Sequence, residues 1–199
     1  NTFLVPPDFS WSRFTTNLPN LPSLWLHHYG ITRDEQLRHN IVYDLDRDLL
    51  ITPIYDGERL VAMSGRYFGT NEHYPRYITH HYKKGHYKLI KAPHETSILV
   101  LCEDVISAIK LSRQFNAIPL LGSFIPDTLI LSLVYQVPQL RIWLDRDKAQ
   151  TAIKIAARAR QYIANCATIV TDKDPKEYTN NEIKDIIDES LPRNNQSLS

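Results

Sequence analysis

The sequence has few of the residues on which several protein classes depend. It contains two cysteines, Cys102 and Cys166, which are too few for a disulfide framework or a four-cysteine zinc site. Both stand in apolar stretches, so we expect buried free thiols and a cytoplasmic protein. No apolar run approaches the roughly 18 residues that a membrane span needs, and no basic segment followed by an apolar one marks a leader. These absences predict a soluble protein without membrane contact.

Glycine is also scarce, with 6 residues against 12 prolines. No Gly-x-x-x-x-Gly-Lys-Ser/Thr motif is present, which excludes the phosphate-binding loop of a helicase motor. The chain is 43% hydrophobic and 23% charged, a globular composition that excludes intrinsic disorder and collagen-like sequence. A length of 199 residues predicts one compact domain or two small lobes.

The charges nearly cancel but are unevenly distributed. With 23 basic and 22 acidic residues the net charge is +1, so the chain as a whole is not a polycation that coats nucleic acid. The segment from Arg59 to Lys91 nevertheless holds seven bases and one acid, whereas that from Asp172 to Glu189 holds seven acids and three lysines. Tyrosines interleave with the bases of the first segment. This pattern suits a single-stranded nucleic acid, and the packing of half-buried strands is the alternative.

The first half of the chain predicts a small lobe of mostly antiparallel strands. Prolines in residues 1–23 favour an extended arm over a long helix. We expect a short helix over 24–29 that ends at Gly30, and a second helix after Thr32, which forms a capping-box pattern with Glu35. The strand signals that follow are a hairpin around Asp56-Gly57 and extended segments over 76–79 and 86–90.

The second half alternates continuous apolar runs with helical patterns. The runs cover 98–102, 117–121, 140–144 and 167–170, and the helical patterns cover 104–116, 127–137, 148–165 and 180–190. Continuous apolar runs are typical of strands buried on both faces. The alternation therefore predicts an α/β fold with a mostly parallel sheet flanked by helices. We expect an arm and a small mixed α+β lobe over 1–96, a metal-binding lobe over 97–178, and a C-terminal helix and tail over 179–199.

Carboxylates follow three of the four apolar runs. They are Glu103 after the first run, Asp145 and Asp147 after the third, and Asp172 and Asp174 after the fourth. In open α/β sheets, ligands bind beyond the carboxyl ends of the strands. Like charges so concentrated need a cation between them. Magnesium is the obvious candidate, because it takes oxygen ligands and bridges carboxylates to substrate phosphates.

The spacing of Asp145 and Asp147 adds to this prediction. At a strand end, residues i and i+2 project to the same side, so both acids are expected to face one metal site. The same letters recur at Leu45-Asp46-Arg47-Asp48. That copy joins short runs in the first half with no helix after it, so we interpret Asp44, Asp46 and Asp48 as a polar hairpin tip.

The order of these motifs resembles that of a Toprim domain, the metal-binding fold of bacterial-type primases, topoisomerases and some nucleases. The matching residues are Glu103, Gly122-Ser123, Asp145-x-Asp147 and Lys173-Asp174-Pro175, each after an apolar strand. The upstream half is similar to the fragment that precedes Toprim in bacterial and phage DNA primases. The matching segments are LWLHHYGITRDEQLRHNIVYD, LLITPIYDGERLVAMSGRYFG, PRYITH and KKGHYKL. The resemblance covers about residues 24–178.

The resemblance implies a primase RNA polymerase core, a nucleotidyltransferase that makes short RNA primers for DNA replication with Mg²⁺ or Mn²⁺. Glu103 would be a metal ligand or a general base, Asp145 and Asp147 would hold the magnesium, and Asp172 and Asp174 would complete the acidic cluster. The residues implied in nucleotide and DNA binding are Arg66, Arg76, Tyr77, Lys83, Lys84 and Ser123. Asp104 departs from the family, which usually has glycine there, and we expect it to cap the following helix.

The same resemblance implies the partners: a single-stranded DNA template, nucleoside triphosphates, and a replicative helicase of the primosome or a separate zinc-ribbon domain for template recognition. Two cysteines exclude that ribbon from this chain, which is thus an excised core or an unusually small primase of a bacterial or phage-infected cell. The histidines at 73, 80, 81 and 86 match no zinc module, so we expect no zinc. The alternatives are a Toprim nuclease that uses the same carboxylates, and a non-catalytic nucleic-acid-binding adaptor.

Overall fold

A computed structural model describes residues 13–56, 58–82, 87–122 and 124–190. The chain divides into two compact units, Asn1–Lys88 and Leu89–Ser199. The N-terminal unit contains an antiparallel sheet and the C-terminal unit a parallel one. The predicted fold class, mixed α/β with a parallel sheet flanked by helices, is therefore confirmed.

The sheet of the N-terminal unit has five strands in sequential order, each antiparallel to the next. They are β1 (Phe14–Thr15), β2 (Val42–Asp44), β3 (Leu49–Asp56), β4 (Arg59–Tyr67) and β5 (Tyr77–His81). The predicted hairpin is confirmed, since Asp56 pairs with Arg59 and Leu49 with Tyr67 across β3 and β4. Val42, Leu49 and Met63 are buried in the core of this unit.

Two helices accompany this sheet, α1 (Asn20–His28) and α2 (Arg33–Arg38). The capping box of α2 is confirmed: the Glu35 backbone N–H donates to Thr32 Oγ1 at 3.2 Å, and the Thr32 N–H donates to Glu35 Oε2 at 2.9 Å. Helix α1 begins four residues earlier than the sequence predicts. Pro22 lies in its first turn, where a backbone N–H has no intrahelical acceptor, so the proline does not disrupt the helix.

The C-terminal unit is built on four parallel strands in the order β7-β6-β8-β9. The strands are β6 (Ile98–Cys102), β7 (Asn116–Pro119), β8 (Gln139–Ile142) and β9 (Cys166–Thr168), and the helices are α3 (Val105–Leu111), α4 (Asp127–Leu133), α5 (Ala149–Ala159) and α6 (Asn180–Glu189). Every residue of β6 is buried, which explains its continuous apolar sequence. Ile90 does not belong to a strand and forms an isolated bridge with Ala117.

A buried arginine ties the C-terminal helix to the centre of this sheet. Arg141 on β8 is fully buried, and its Nε donates to Ser190 Oγ at 2.8 Å while Nη1 donates to Asn165 Oδ1 at 3.1 Å. Such partners are needed because an unpaired buried charge is strongly destabilising. Cys102 and Cys166 are buried and free, as predicted. Among the described residues, no helix is long and apolar enough to cross a membrane.

Candidate functional site

The parallel sheet brings the predicted acids to one edge of the C-terminal unit. Strands β6, β8 and β9 are direct neighbours and point the same way, so the segments after them leave from a common edge. Glu103 directly follows β6, Asp145 follows β8 after a two-residue connection, and Asp174 follows β9 before the 3-10 turn Pro175–Glu177. Three carboxylates that are far apart in sequence thereby follow adjacent strands.

A lysine that the sequence analysis did not single out lies at the centre of this acidic edge. Lys176 Nζ is 3.1 Å from Asp104 Oδ2, 3.5 Å from Asp145 Oδ2 and 3.2 Å from Asp174 Oδ2. The lysine side chain is only 11% exposed. Burial alone lowers the pKa of Lys176, but the three carboxylates more than offset it, so the pKa is raised and the ammonium stays charged.

The backbone around Lys176 is held from the neighbouring helix α3. Lys110 is buried on α3, and its Nζ donates to the carbonyl oxygens of Lys176 at 2.8 Å and of Tyr178 at 2.5 Å. Within the turn, the Asp174 N–H donates to Glu177 Oε2 at 2.8 Å. The backbone that carries Lys176 is therefore held by contacts other than those of its own ammonium.

Asp145 differs from Asp104 and Asp174, the other two acids bound to Lys176, in having one carboxylate oxygen without a hydrogen-bond donor. Its Oδ2 faces Lys176, whereas Oδ1 is buried and has no hydrogen-bond partner. Burial, followed by the nearby charge of Asp104, raises the pKa of Asp145 from its ordinary 3.8 to about 7, although Lys176 opposes the shift. In Asp174, by contrast, Oδ2 binds Lys176 and Oδ1 accepts from the backbone N–H of Arg146 at 3.1 Å.

Glu103, like Asp145, has one buried carboxylate oxygen without a hydrogen-bond donor. The residue is half-buried, and its Oε2 is buried without a hydrogen-bond partner. Burial is the main cause that raises the pKa of Glu103, and the negative charges of Asp147 and Asp104 add to it. A buried carboxylate oxygen without a donor is costly. Glu103 Oε2 and Asp145 Oδ1 belong to residues that follow the adjacent strands β6 and β8. These two oxygens, here called the acceptor pair, lack the donors that a cation would replace.

The other two predicted ligands are exposed and engaged elsewhere. Strand β8 ends at Ile142, and Asp147 lies in the 3-10 turn Arg146–Lys148, where strand alternation does not apply. Its side chain is 70% exposed and pairs with Lys148 Nζ at 2.8 Å, which lowers the pKa of Asp147. Asp172 is exposed, and a hydrogen bond of 2.6 Å from the Tyr178 hydroxyl lowers its pKa. As metal ligands, both acids stay predictions.

Asp104 caps α3, as the sequence predicts. Its Oδ1 accepts from the backbone N–H groups of Ile106 at 2.8 Å and Ser107 at 3.0 Å. Its Oδ2 accepts from the Ser107 hydroxyl at 2.8 Å and from Lys176. The carboxylate of Asp104 therefore accepts hydrogen bonds from the first backbone N–H groups of α3 and also binds the ammonium of Lys176.

The chemistry of the acceptor pair fits a magnesium ion. In the part of the chain that the structure describes, no group of three or more His, Cys, Asp or Glu side chains is arranged to hold a metal. Magnesium often binds only one or two carboxylates and takes its other ligands from water and substrate phosphates. Glu103 and Asp145, with one open oxygen each, match that requirement without a third protein ligand.

In the N-terminal unit, the predicted nucleic-acid residue Arg66 forms an aromatic stack. Its guanidinium carbon lies 4.7 Å from the ring centre of Trp25, 5.3 Å from that of Phe68 and 4.9 Å from that of Tyr77. One Nη of Arg66 also donates to the Tyr77 hydroxyl. Arginine is suited to such stacking because its charge is delocalised over a plane.

A cavity of about 390 Å³ opens beside this stack and is lined by Arg66, Arg76, Tyr67 and Tyr74, together with residues 68–72. The rings of Tyr67 and Tyr74 lie 4.5 Å apart. A side chain at Gly69 would collide with the Tyr67 ring, which would have to move. Arg76 and Tyr77 are exposed. Lys83, Lys84 and Ser123 lie outside the described residues.

Sequence reasoning missed Lys176 and Trp25, the two residues that organise these sites. Lys176 follows the Asp174-Pro175 motif by one position, and that adjacency is the only sequence signal for it. Trp25 stands in α1, about forty residues before Arg66, and no local pattern links the two. Both contacts depend on tertiary packing.

The fold is similar to those of two solved primase structures. One is the crystal structure of the Aquifex aeolicus primase with its zinc-binding and RNA polymerase domains: TM-score 0.59, 18% identity, 88% of this chain and 50% of that chain. The other is the primase fragment of the bacteriophage T7 primase-helicase protein: TM-score 0.55, 16% identity, 83% of this chain and 72% of that chain. This chain thus spans half the length of the Aquifex aeolicus chain. No protein-family model matches the sequence, and the comparison with curated proteins finds no significant match.

Proposed function

We propose that this protein is the RNA polymerase core of a bacterial or phage type of DNA primase, with a Toprim-like metal-binding unit. It makes short RNA primers on single-stranded DNA from nucleoside triphosphates. The similarity of its fold to two primase fragments supports the proposal. At 18% and 16% identity that similarity concerns the fold, so the chemistry has to be argued from the site.

The observation that carries the proposal is the open acceptor pair at the edge of the parallel sheet. Glu103 Oε2 and Asp145 Oδ1 are buried carboxylate oxygens without hydrogen-bond donors. These two residues would hold the magnesium ion, and we also assign Asp147, Asp172 and Asp174 to the acidic rim around it. When bound, magnesium neutralises the triphosphate and activates the attacking hydroxyl.

In nucleotidyl transfer, the 3′-hydroxyl oxygen of one nucleotide forms a bond to the α-phosphorus of the next, and the bond to pyrophosphate breaks. The hydroxyl proton needs an acceptor. Glu103 is a candidate for this role, as the alternative to binding the metal, because its pKa is raised and one oxygen lacks a donor. Substitution separates the two roles, since Glu103→Gln keeps an oxygen ligand but cannot take up the proton.

We assign the N-terminal unit to the binding of template and nucleotides. Arg66 and Arg76 line one cavity with tyrosine rings, and cationic side chains among aromatic ones suit a phosphate backbone with stacked bases. Tyr77, Lys83 and Lys84 belong to the same proposal through the primase resemblance, as does Ser123 of the C-terminal unit. A zinc-binding domain or a replicative helicase would supply template recognition.

The test is a primer-synthesis assay with purified protein, single-stranded DNA templates of several sequences, labelled nucleoside triphosphates, and Mg²⁺ or Mn²⁺. A short product that requires template and is degraded by ribonuclease is the expected result. Metal-dependent degradation of the template would instead indicate the nuclease. Binding of DNA without either reaction, also after addition of a separate primase zinc-binding domain, would indicate the adaptor.

A further inference from the structure

The ammonium of Lys176 uses its full hydrogen-bonding capacity on three carboxylates. A lysine ammonium has three donors, and Lys176 Nζ lies within 3.5 Å of one oxygen each of Asp104, Asp145 and Asp174. These three acids come from segments after three different strands. The lysine therefore occupies the position at which their carboxylates converge.

Enzymes that transfer phosphoryl groups often use two divalent ions, one for the attacking oxygen and one for the leaving oxygen. Here the Oδ2 atoms of Asp104, Asp145 and Asp174 bind the ammonium of Lys176. A second divalent ion at these oxygens would have to displace that ammonium. The acceptor pair of Glu103 and Asp145 has open oxygens for one cation.

We infer that Lys176 is a built-in cation that replaces one of two divalent ions, so that the chain binds a single metal at Glu103 and Asp145. This inference rests on the proposed function for its metal. Lys176 is a positioning residue: it holds Asp145 by Oδ2 and leaves Oδ1 open.

The backbone contacts of Lys176 make this role specific. Lys110 binds the carbonyl oxygens of residues 176 and 178, so the turn does not depend on the lysine side chain for its position. Removal of the ammonium would leave three converging carboxylates without a cation, and carboxylate oxygens are the ligands that Mg²⁺ and Mn²⁺ take. A neutral residue at position 176 is therefore expected to create a second metal site.

The test counts bound Mn²⁺ by the electron paramagnetic resonance signal of the free ion, without nucleotide. We expect about one ion per wild-type chain and about two per Lys176→Gln chain. Lys184→Gln is the matched control, because it removes a more exposed lysine that pairs with Asp188 on α6, away from the acidic edge, and it should keep the wild-type count. Two ions on the wild type, or an unchanged count in Lys176→Gln, would overturn the inference and leave the primase proposal standing. No bound ion on the wild type would overturn the inference and the assignment of Glu103 and Asp145 to the metal, and the primer-synthesis assay would still decide the primase proposal.

Lys176→Gln is also expected to unfold more readily without metal, because three carboxylates lose their cation. Mn²⁺ should then raise its melting temperature several-fold more than that of the wild type. An equal rise in both proteins would contradict the inference. If the variant does not fold at any metal concentration, the ion count of the wild type decides.

Discussion

The ammonium of Lys176 lies 3.5 Å from Oδ2 of Asp145, while Oδ1 of the same carboxylate is buried without a hydrogen-bond donor. One oxygen thus faces a fixed positive charge and the other an open position. The lysine does not fully compensate for burial and for the charge of Asp104, since the pKa of Asp145 is about 7. A cation at Oδ1 would compensate the remaining negative charge of Asp145. The contact between Lys176 and Asp145 therefore bears directly on metal binding.

Asp145→Asn should remove metal binding and primer synthesis without loss of stability. The asparagine keeps the shape of the side chain, and Lys176 retains Asp104 and Asp174 as partners. Relief of like-charge repulsion should leave the melting temperature in metal-free buffer unchanged or higher, with roughly 2–4 °C for each kcal/mol gained. Calorimetry and a Mn²⁺ titration check both parts. A clearly lower melting temperature would mean that Asp145 is mainly a structural partner of Lys176.

The free energy of unfolding should fall as the pH rises toward neutrality. The folded protein binds the proton of Asp145 with a pKa of about 7, against 3.8 in the unfolded chain. Between these values the unfolded state binds fewer protons, so stability decreases by up to ~1.4 kcal/mol per pH unit and levels off above about pH 7. The raised pKa of Glu103 acts in the same direction. Asp145→Asn should reduce this slope, and equal slopes in both proteins would refute the assignment.

Magnesium competes with the proton on Asp145 for the same carboxylate. The rise in melting temperature on addition of Mg²⁺ should therefore be larger near pH 8 than near pH 6. A rise that does not change with pH would show that the ion binds elsewhere.

Lys110→Met should destabilise the C-terminal unit and weaken metal binding. The substitution removes two hydrogen bonds from a charged donor to the turn that carries Lys176, a loss of about 2–3 kcal/mol. Misplacement of Lys176 and of the acids it holds should reduce Mn²⁺ affinity ~10–100-fold. Lys154→Met, at an exposed position on α5, is the control. Wild-type Mn²⁺ affinity in Lys110→Met would show that the turn does not position the metal site.

Arg66→Ala should weaken binding of single-stranded DNA and reduce its salt dependence by about one ion. It should also lower stability by about 1–2 kcal/mol, because the guanidinium stacks on Trp25, Phe68 and Tyr77. Arg66→Lys keeps the charge but loses planar stacking, so it should keep the salt dependence and lose part of the stability. Arg38→Ala, exposed on α2 and outside the basic segment 59–91, is the control. Unchanged DNA affinity in Arg66→Ala would leave a structural role only.

Much of the C-terminal unit was predictable because its strands are buried on both faces. Strand β6 has the sequence ILVLC and is buried at every position, so its apolar composition alone predicts a buried strand. Strands β1 and β2 have two and three residues, too few for a periodic pattern, and the sequence analysis did not find them. The start of α1 was misplaced because a proline in a first helical turn looks in the sequence like a barrier to the helix.

The sequence predicted which acids follow the strands of the parallel sheet, but not which of them bind a lysine. The letters Leu-Asp-Arg-Asp occur twice, and context separated the turn between β2 and β3, which holds Asp46 and Asp48, from the segment after β8. Asp44 was wrongly placed in that turn, since it is a buried residue of β2. Asp147 shows the limit of the spacing argument, because the strand ends before it and the turn exposes it. Lys176 lies in an acid-rich segment, and such a composition is typical of a solvent-exposed surface. Only the fold reveals that it is buried among three carboxylates.

The most direct test of the account compares primer synthesis by the wild type, Asp145→Asn and Asp185→Asn under identical Mg²⁺, template and nucleotide concentrations. Asp185 is an exposed acid on α6, so its substitution removes the same charge away from the acidic edge. The account predicts short RNA at similar rates from the wild type and Asp185→Asn, and a rate at least ~100-fold lower from Asp145→Asn. Synthesis by Asp145→Asn at the wild-type rate would contradict it.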